Sequence, residues 1–292
     1  MSVNSSGTAG DGASSAPSIS GDGSLVAFVS QSANFVATVG GTQIYVHNRQ
    51  TNQIELISRD SNATTLNEGG GVSSAPAISA DGRFVAFVSQ STNLVAGVIV
   101  APQIYLRDRQ TGQTTLVSQN SSGVTSNGLI NSSPAVSENG QFIAFVSNAT
   151  NLASTITGKK QIYIRDRVFG TTSLISKDNN LIPAEGDGDS STPSISTDGC
   201  FVAFASASTN LGAPANQILV RGPLTVASCA GTEQTSLVSK NDSGNPANGA
   251  AGSTVDSSVS GSGQFIAFSS SATNLVTAPP TAPSDIYVRA MP

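Results

Sequence analysis

The sequence is poor in the residues that build many functional sites. Its 292 residues include no tryptophan, one histidine and two cysteines, and only 11% are charged, against roughly 25% in a typical globular chain. A single histidine excludes a metal site made of several histidines, and two cysteines exclude a four-cysteine zinc site. The 13 basic and 18 acidic residues give a net charge of −5. This argues against nucleic acid as a partner, because such surfaces need clustered lysine and arginine.

Long apolar runs are also missing. The stretch Leu94–Ala101 is the most apolar segment of any length, and it is far shorter than the roughly 20 residues that span a bilayer as a helix. We therefore predict no membrane span.

A repeated segment dominates the sequence. The motif Phe-Val-Ala-Phe, or a close variant, ends at Phe28, Phe87, Phe145, Phe204 and Phe268, with spacings of 58 to 64 residues. Five such repeats nearly fill the chain. We therefore predict one array without a linker, and not two domains.

Each repeat carries the signals of four short strands. A Ser/Pro segment such as Ser74–Ser79 precedes the turn Asp81-Gly82, and Asp-Gly or Asn-Gly between apolar runs favours a hairpin. The Phe-x-Ala-Phe strand follows, then an alternating strand at Gln103–Arg109 and a fourth strand at Thr114–Ser118. No helical periodicity is present, so each repeat predicts one small antiparallel sheet.

A sheet of this size cannot bury both faces alone, and packing against its neighbours around an axis solves the problem. We predict an all-β, five-bladed β-propeller with four-stranded antiparallel blades, in preference to a linear solenoid, whose coils are shorter. The predicted blades cover approximately residues 13–60, 72–120, 131–178, 190–241 and 254–292. The last blade ends after its third strand. Either residues 1–3 supply a stub of the missing outer strand, or the chain belongs to a longer array.

The segment Ser74–Gly112 carries a resemblance to a known family. It reads Ser-Ala-Pro-Ala-Ile-Ser-Ala-Asp-Gly-Arg-Phe-Val-Ala-Phe-Val-Ser, then Thr-Asn-Leu-Val, then Ile-Tyr-Leu-Arg-Asp-Arg-Gln-Thr-Gly. This pattern resembles the WD40-like (PD40) repeats of the TolB-like β-propeller superfamily, in the long-repeat form of many secreted bacterial proteins. The resemblance covers nearly all of the chain. It implies a propeller and is nearly silent on activity. Related propellers accompany hydrolase domains, but no Gly-x-Ser-x-Gly motif is present here.

The two cysteines are predicted to form a disulfide. Cys200 follows the turn Asp198-Gly199, and Cys229 lies in an enlarged connection between the third and fourth strands of the same repeat. In an antiparallel sheet these two connections lie at the same edge. The bond would imply an oxidising compartment, and the Ser/Thr/Asn/Gly-rich composition also suits an extracellular or periplasmic protein.

The basic residues recur at fixed positions of the repeat. One position holds Arg107, Arg165, Arg221 and Arg289, with His47 in the first repeat. We interpret His47 as a structural substitute for arginine. A second position holds Arg49, Arg109 and Arg167, and we expect ion pairs with the neighbouring Asp108 and Asp166.

The acidic residues suggest two alternatives to a plain scaffold. Glu68, Glu185 and Asp256 lie in loops near the start of the first strands, where a carbohydrate-active propeller would need carboxylates to protonate the leaving oxygen and to activate water or attack. Asp187 and Asp189, beside Glu185, would suit Ca²⁺, which binds oxygen ligands. Both sets also read as ordinary solvated loop acids, and no cofactor is predicted from them.

The leading hypothesis is a non-enzymatic binding or assembly scaffold outside the cytoplasm. Recognition residues usually lie in loops held by a rigid framework. The apolar segment Val98, Ile99 and Val100, between a second and a third strand, is the predicted contact for a protein or a surface glycan. A structural subunit of a surface layer or filament is a further alternative.

Overall fold

The computed structural model describes residues 2–36, 41–61, 70–100, 102–129, 131–153, 157–225, 229–249, 257–277 and 284–291. Within these ranges every long regular element is a β-strand, and the 19 strands form five sheets. No helix in these ranges has the length and apolar character needed to cross a membrane.

The strands follow one another in chain order within each sheet. The first sheet contains β1 (Ser14–Ile19), β2 (Leu25–Ser30), β3 (Gln43–Asn48) and β4 (Ile54–Leu56). The second contains β5 (Ser73–Ile78), β6 (Phe84–Ser89), β7 (Gln103–Asp108) and β8 (Gln113–Leu116). The third contains β9 (Asn131–Val136), β10 (Phe142–Ser147), β11 (Gln161–Asp166) and β12 (Thr171–Leu174). The fourth contains β13 (Ser190–Ile195), β14 (Val202–Ser206), β15 (Gln217–Gly222) and β16 (Gln234–Leu237). The fifth contains β17 (Ser257–Val259), β18 (Phe265–Ser270) and β19 (Asp285–Ala290).

The chain divides into two compact units. The first comprises Met1–Ile143 with Arg165–Thr171, and the second comprises Ala144–Ile164 with Thr172–Pro292. The first and second sheets therefore belong to the first unit, and the fourth and fifth sheets to the second. The prediction of five repeated small sheets is confirmed. The predicted blade boundaries and the single uninterrupted array stay predictions.

The predicted hairpins form for the expected local reason. In the second sheet, Gly82 has a φ of +72°, and the Asp81 carboxylate accepts a hydrogen bond from the backbone N–H of Arg83 at 2.9 Å. Asp-Gly supplies both the positive φ and a side chain that closes the turn. The strand after the turn, β6, is buried along its whole length, as its apolar residues on both faces predict.

The first strand of several sheets contains a bulge that the sequence pattern does not predict. The pairing shifts register between Ser15 and Ser18 in β1, and the same shift recurs in β5 and β13. Within the shift lies a residue with positive φ, followed directly by proline. These residues are Ala16 (φ 49°), Ala75 (φ 49°) and Thr192 (φ 47°), and Ser133 of β9, which also precedes a proline, has a φ of 50°. The bulge explains how a proline, which has no N–H to donate, is accommodated inside a paired strand.

A recurring arginine attaches the third strands of the second to fifth sheets to the connection that follows the preceding sheet. Each guanidinium donates to a backbone carbonyl there: Arg107 to Asp60 at 2.8 Å, Arg165 to Asn120 at 3.1 Å, Arg221 to Lys177 at 3.1 Å and Arg289 to Lys240 at 3.3 Å. His47 occupies the equivalent position in β3, where it is buried and its Nε2 lies 2.9 Å from Oδ1 of Asn52. These contacts support the structural role predicted for this position.

The N-terminal residues repeat a connection seen later in the chain. Val3 forms an isolated bridge with Ala9, as Gln119 does with Thr125, and Asn4 N–H donates to the Thr8 carbonyl at 2.8 Å. Residues 2–9 thus align with the segment that follows a fourth strand. The fifth sheet has three described strands, and its completion by residues 1–3 stays a prediction.

Candidate functional site

Two connections meet at one edge of the second sheet. The β6–β7 connection and the β8–β9 connection both leave from the same end of the strands, which we call the loop edge. The β5–β6 and β7–β8 turns lie at the other end of the strands. Asn131 Nδ2 donates to the Pro102 carbonyl at 2.8 Å, and Gln103 Nε2 donates to the Ser126 carbonyl at 3.0 Å. These bonds tie the ends of the two connections together.

The same tie recurs because the repeat encodes it. In the first four sheets, the third strand begins with a buried glutamine whose Oε1 accepts a hydrogen bond from a buried serine after the fourth strand. The pairs are Gln43–Ser58 at 2.6 Å, Gln103–Ser118 at 2.5 Å, Gln161–Ser176 at 2.5 Å and Gln217–Ser239 at 2.7 Å. Buried polar groups need such partners, so these hydrogen bonds fix the strand ends from which the connections leave.

The predicted contact segment divides between the core and the surface. Val98 is only 4% exposed and belongs to the hydrophobic core of the first unit, together with Leu94. Ile99 is 86% exposed, and Val100 is half-buried. Of the three residues, Val98 therefore anchors the connection and Ile99 alone is fully available for contact.

Two further exposed apolar residues lie on the β8–β9 connection. Val124 is 53% exposed and Leu129 is 71% exposed. Sequence reasoning missed both. The available signal was the alignment of the repeats, since Val124 stands where the first repeat has the polar Thr8. We refer to Ile99, Val124 and Leu129 as the apolar loop set.

The described residues do not test the three candidate acids as a set. Glu68 and Asp256 lie outside the described residues. Glu185 accepts a hydrogen bond from the backbone N–H of Thr157 at 2.7 Å through Oε1, whereas its Oε2 is buried without a hydrogen-bond partner among the described residues. Burial, reinforced by the charge of Glu185, raises the pKa of the Tyr163 hydroxyl.

The acids considered for Ca²⁺ hold the surrounding loops. The Asp187 carboxylate accepts hydrogen bonds from the N–H and the hydroxyl of Thr209, both at 2.6 Å, and these bonds lower its pKa. Asp189 accepts from the backbone N–H of Lys160 at 3.0 Å. In the described ranges no group of three acidic, histidine or cysteine side chains is arranged to hold a metal ion.

The predicted disulfide is confirmed. Cys200 and Cys229 are bonded, with their Cα atoms 5.7 Å apart. The enlarged β15–β16 connection is also held by Glu233, whose Oε1 lies 2.7 Å from Arg221 Nε and 3.1 Å from Lys177 Nζ. This charged group was not identified from the sequence.

The prediction that Arg109 and Arg167 pair with the neighbouring Asp108 and Asp166 is wrong. Asp108 forms a two-pronged pair with Arg83, at 2.9 and 2.7 Å, while Arg109 Nε lies 2.8 Å from Glu55 of the preceding sheet. Asp166 accepts hydrogen bonds from Gln141 and from the backbone of Val168. Arg109 and Arg167 lie just beyond the ends of β7 and β11, so strand alternation does not set their partners.

The chain is similar to known proteins in its structure. No protein-family model and no curated protein matches the sequence. TolB from Acinetobacter baumannii aligns with 94% of this chain and 57% of its own, with a TM-score of 0.51 and 17% identity. The β-propeller domain of the Trilobed protease from Pyrococcus furiosus covers 97% of this chain and 70% of its own, with a TM-score of 0.55 and 14% identity.

The chain has a β-propeller fold. Its five sheets are the five blades, and the last has three described strands, which confirms the predicted fold class. An oligogalacturonate lyase in complex with manganese has the same fold, with a TM-score of 0.56 and 12% identity over 96% of this chain and 65% of its own. At these identities the likeness concerns the fold, because propellers with one architecture carry different functions. The chain also spans little more than half of the TolB chain.

Proposed function

We propose that this propeller is a non-enzymatic binding scaffold that recognises a protein partner outside the cytoplasm through the loop edge of its second blade. The observation that carries the proposal is the apolar loop set, in which Ile99 is 86% and Leu129 is 71% exposed. Exposed apolar side chains on two connections that are hydrogen-bonded to each other support an interaction surface.

The framework beneath the loop set favours binding with little loss of conformational entropy. Val98 and Leu94 anchor one connection in the core, and Asn131 and Gln103 bond the two connections to each other. A surface that is already ordered loses less freedom when a partner binds. The Cys200–Cys229 disulfide supports the proposed location, since such bonds persist in oxidising compartments.

The proposal is tested by affinity capture from the extracytoplasmic fraction of the source cells. The test variant is Ile99→Ser with Leu129→Ser. The matched control is Val168→Ser with Phe169→Ser, because these residues are 62% and 65% exposed in the β11–β12 turn, at the opposite edge of a blade. We expect partners that the wild type and the control retain and the test variant loses. Equal retention by all three proteins would contradict the proposal.

A carbohydrate-active propeller is the second candidate, favoured by the buried Oε2 of Glu185, which lacks a hydrogen-bond partner among the described residues. In this function Glu185 acts with Glu68 and Asp256 on a glycan. The test is a glycan array followed by product analysis, with Glu185→Gln as the variant. Glycan turnover by the wild type that is lost in Glu185→Gln would favour the enzyme. Absence of glycan binding by the wild type would exclude this second candidate.

A further inference from the structure

A cleft of about 360 Å³ lies in the first unit, between the second blade and the beginning of the third. Its floor is apolar and includes the buried side chains of Phe84, Leu106 and Ile143. Thr115 of β8, Arg165 and Arg167 also line it. This volume is at the lower end of the range found for small-molecule sites.

The equivalent place between the first and second blades is filled by an ion pair. Val46 pairs with Glu55 across β3 and β4, and Leu106 pairs with Thr115 across β7 and β8. Glu55 and Thr115 therefore occupy the same position of the repeat. Glu55 Oε2 accepts from Arg109 Nε at 2.8 Å, whereas the shorter and uncharged Thr115 leaves the corresponding space open.

Arg167 is the counterpart of Arg109 in the third blade. Its Nε donates to the Gly140 carbonyl at 3.1 Å, as Arg109 Nη1 donates to the Gly82 carbonyl at 2.7 Å. No carboxylate of the described residues forms an ion pair with Arg167. The nearby acids already have partners, because Asp108 is held by Arg83 and Asp166 by Gln141.

We propose that this cleft binds a small carboxylate carried on an apolar group. The carboxylate takes the place that Glu55 occupies beside Arg109 and accepts hydrogen bonds from Arg167, since a guanidinium and a carboxylate form strong charge-assisted bonds. The apolar group lies over the floor that Phe84 and Leu106 form. The site is separate from the apolar loop set and does not depend on the proposed protein partner.

Isothermal titration with 4-phenylbutyrate, and with its neutral analogue 4-phenylbutyramide, tests the assignment. We expect the wild-type chain to bind one phenylbutyrate and to bind the amide about tenfold more weakly, the loss expected for one charge-assisted contact. Arg167→Gln should weaken phenylbutyrate binding by a similar factor. Arg49→Gln, which changes the same repeat position in the first blade, should leave it unchanged.

Two substitutions test the site from opposite directions. One fills the cleft beside Arg167, and the other opens the equivalent place beside Arg109. Thr115→Glu should place a carboxylate beside Arg167 and abolish phenylbutyrate binding, with the circular dichroism spectrum unchanged. Glu55→Thr should open a second cleft beside Arg109 and raise the binding stoichiometry from one to two. Undiminished binding by Thr115→Glu, or no binding by the wild type at millimolar phenylbutyrate, would overturn the proposal.

A peptide that ends in phenylalanine, offered as the free acid and as the amide, distinguishes the source of the carboxylate. Tighter binding of the peptide acid than of phenylbutyrate would assign the cleft to a polypeptide C-terminus. The reverse order would assign it to a free small acid.

Discussion

The ring of Phe84 occupies the space that a side chain at Gly140 would need. A Cβ at Gly140 would lie 2.2 Å from Cδ2 of Phe84, and Gly140 has a φ of +66°. The same ring lies 4.7 Å from the guanidinium carbon of Arg83 and 4.6 Å from that of Arg167. The first turn of the third blade thus packs directly on an aromatic residue of the second.

This contact predicts a large loss of stability for Gly140→Ala. Two costs combine, about 1–2 kcal/mol for a non-glycine residue at positive φ and about 1–3 kcal/mol for overpacking. Gly23 is the matched control, because it has the same turn position and a φ of +71°, but its Cβ would meet nothing closer than 3.7 Å. Denaturant unfolding should show Gly23→Ala losing about 1–2 kcal/mol and Gly140→Ala clearly more. Equal losses in the two variants would show that the Phe84 ring moves aside without a cost in stability.

The Arg109–Glu55 pair predicts a stabilising substitution. Thr115→Glu should reproduce this pair with Arg167 and raise the free energy of unfolding by up to about 1 kcal/mol, the usual contribution of a partly exposed ion pair. The gain should disappear in the Arg167→Gln background, which a double-mutant cycle measures directly. A gain that persists without Arg167 would place its cause elsewhere.

Glu233 predicts a specific acid sensitivity. Burial opposes its ionisation, but hydrogen bonds from Arg221 and Thr225 and the charge of Lys177 outweigh burial and lower its pKa to about 2. A pKa lowered by folding stabilises the protein above the unfolded-state pKa, so this contribution should be lost as the pH falls from about 5 to about 2.

Urea unfolding at several pH values checks this expectation. Glu233→Gln should lower stability at pH 7 and flatten its dependence on pH below 5. Glu138→Gln, at an exposed position, is the control and should change neither property. A steep acid dependence that survives in Glu233→Gln would assign it to other carboxylates.

The disulfide predicts a redox-dependent stability. Cys200 and Cys229 are separated by 29 residues, and closing a loop of this length stabilises a fold by about 2–4 kcal/mol. Thermal unfolding with and without reductant should show a lower Tm for the reduced wild type. The Cys200→Ser, Cys229→Ser double variant should unfold near the reduced Tm and be insensitive to reductant. Two reactive thiols in the denatured, unreduced wild type would contradict the bond.

Local sequence patterns were enough to predict the strands and the turns between them. The period-two alternation, the Asp-Gly turns and the fivefold recurrence of Phe-x-Ala-Phe predicted the strands, their order and the fold class, because each signal acts over a few residues. The disulfide was also within reach, since two turns of one antiparallel sheet share an edge.

The contacts between side chains of different blades, and the exposure of loop side chains, could not be predicted without the folded structure. Arg109 and Glu55 are 54 residues apart, and no local pattern favoured that pair over Arg109 and its neighbour Asp108. Val98 and Ile99 are adjacent and both apolar, yet one is buried and the other exposed. Outside regular strands no fixed periodicity assigns a side chain to a face, so packing against the neighbouring blade makes the choice.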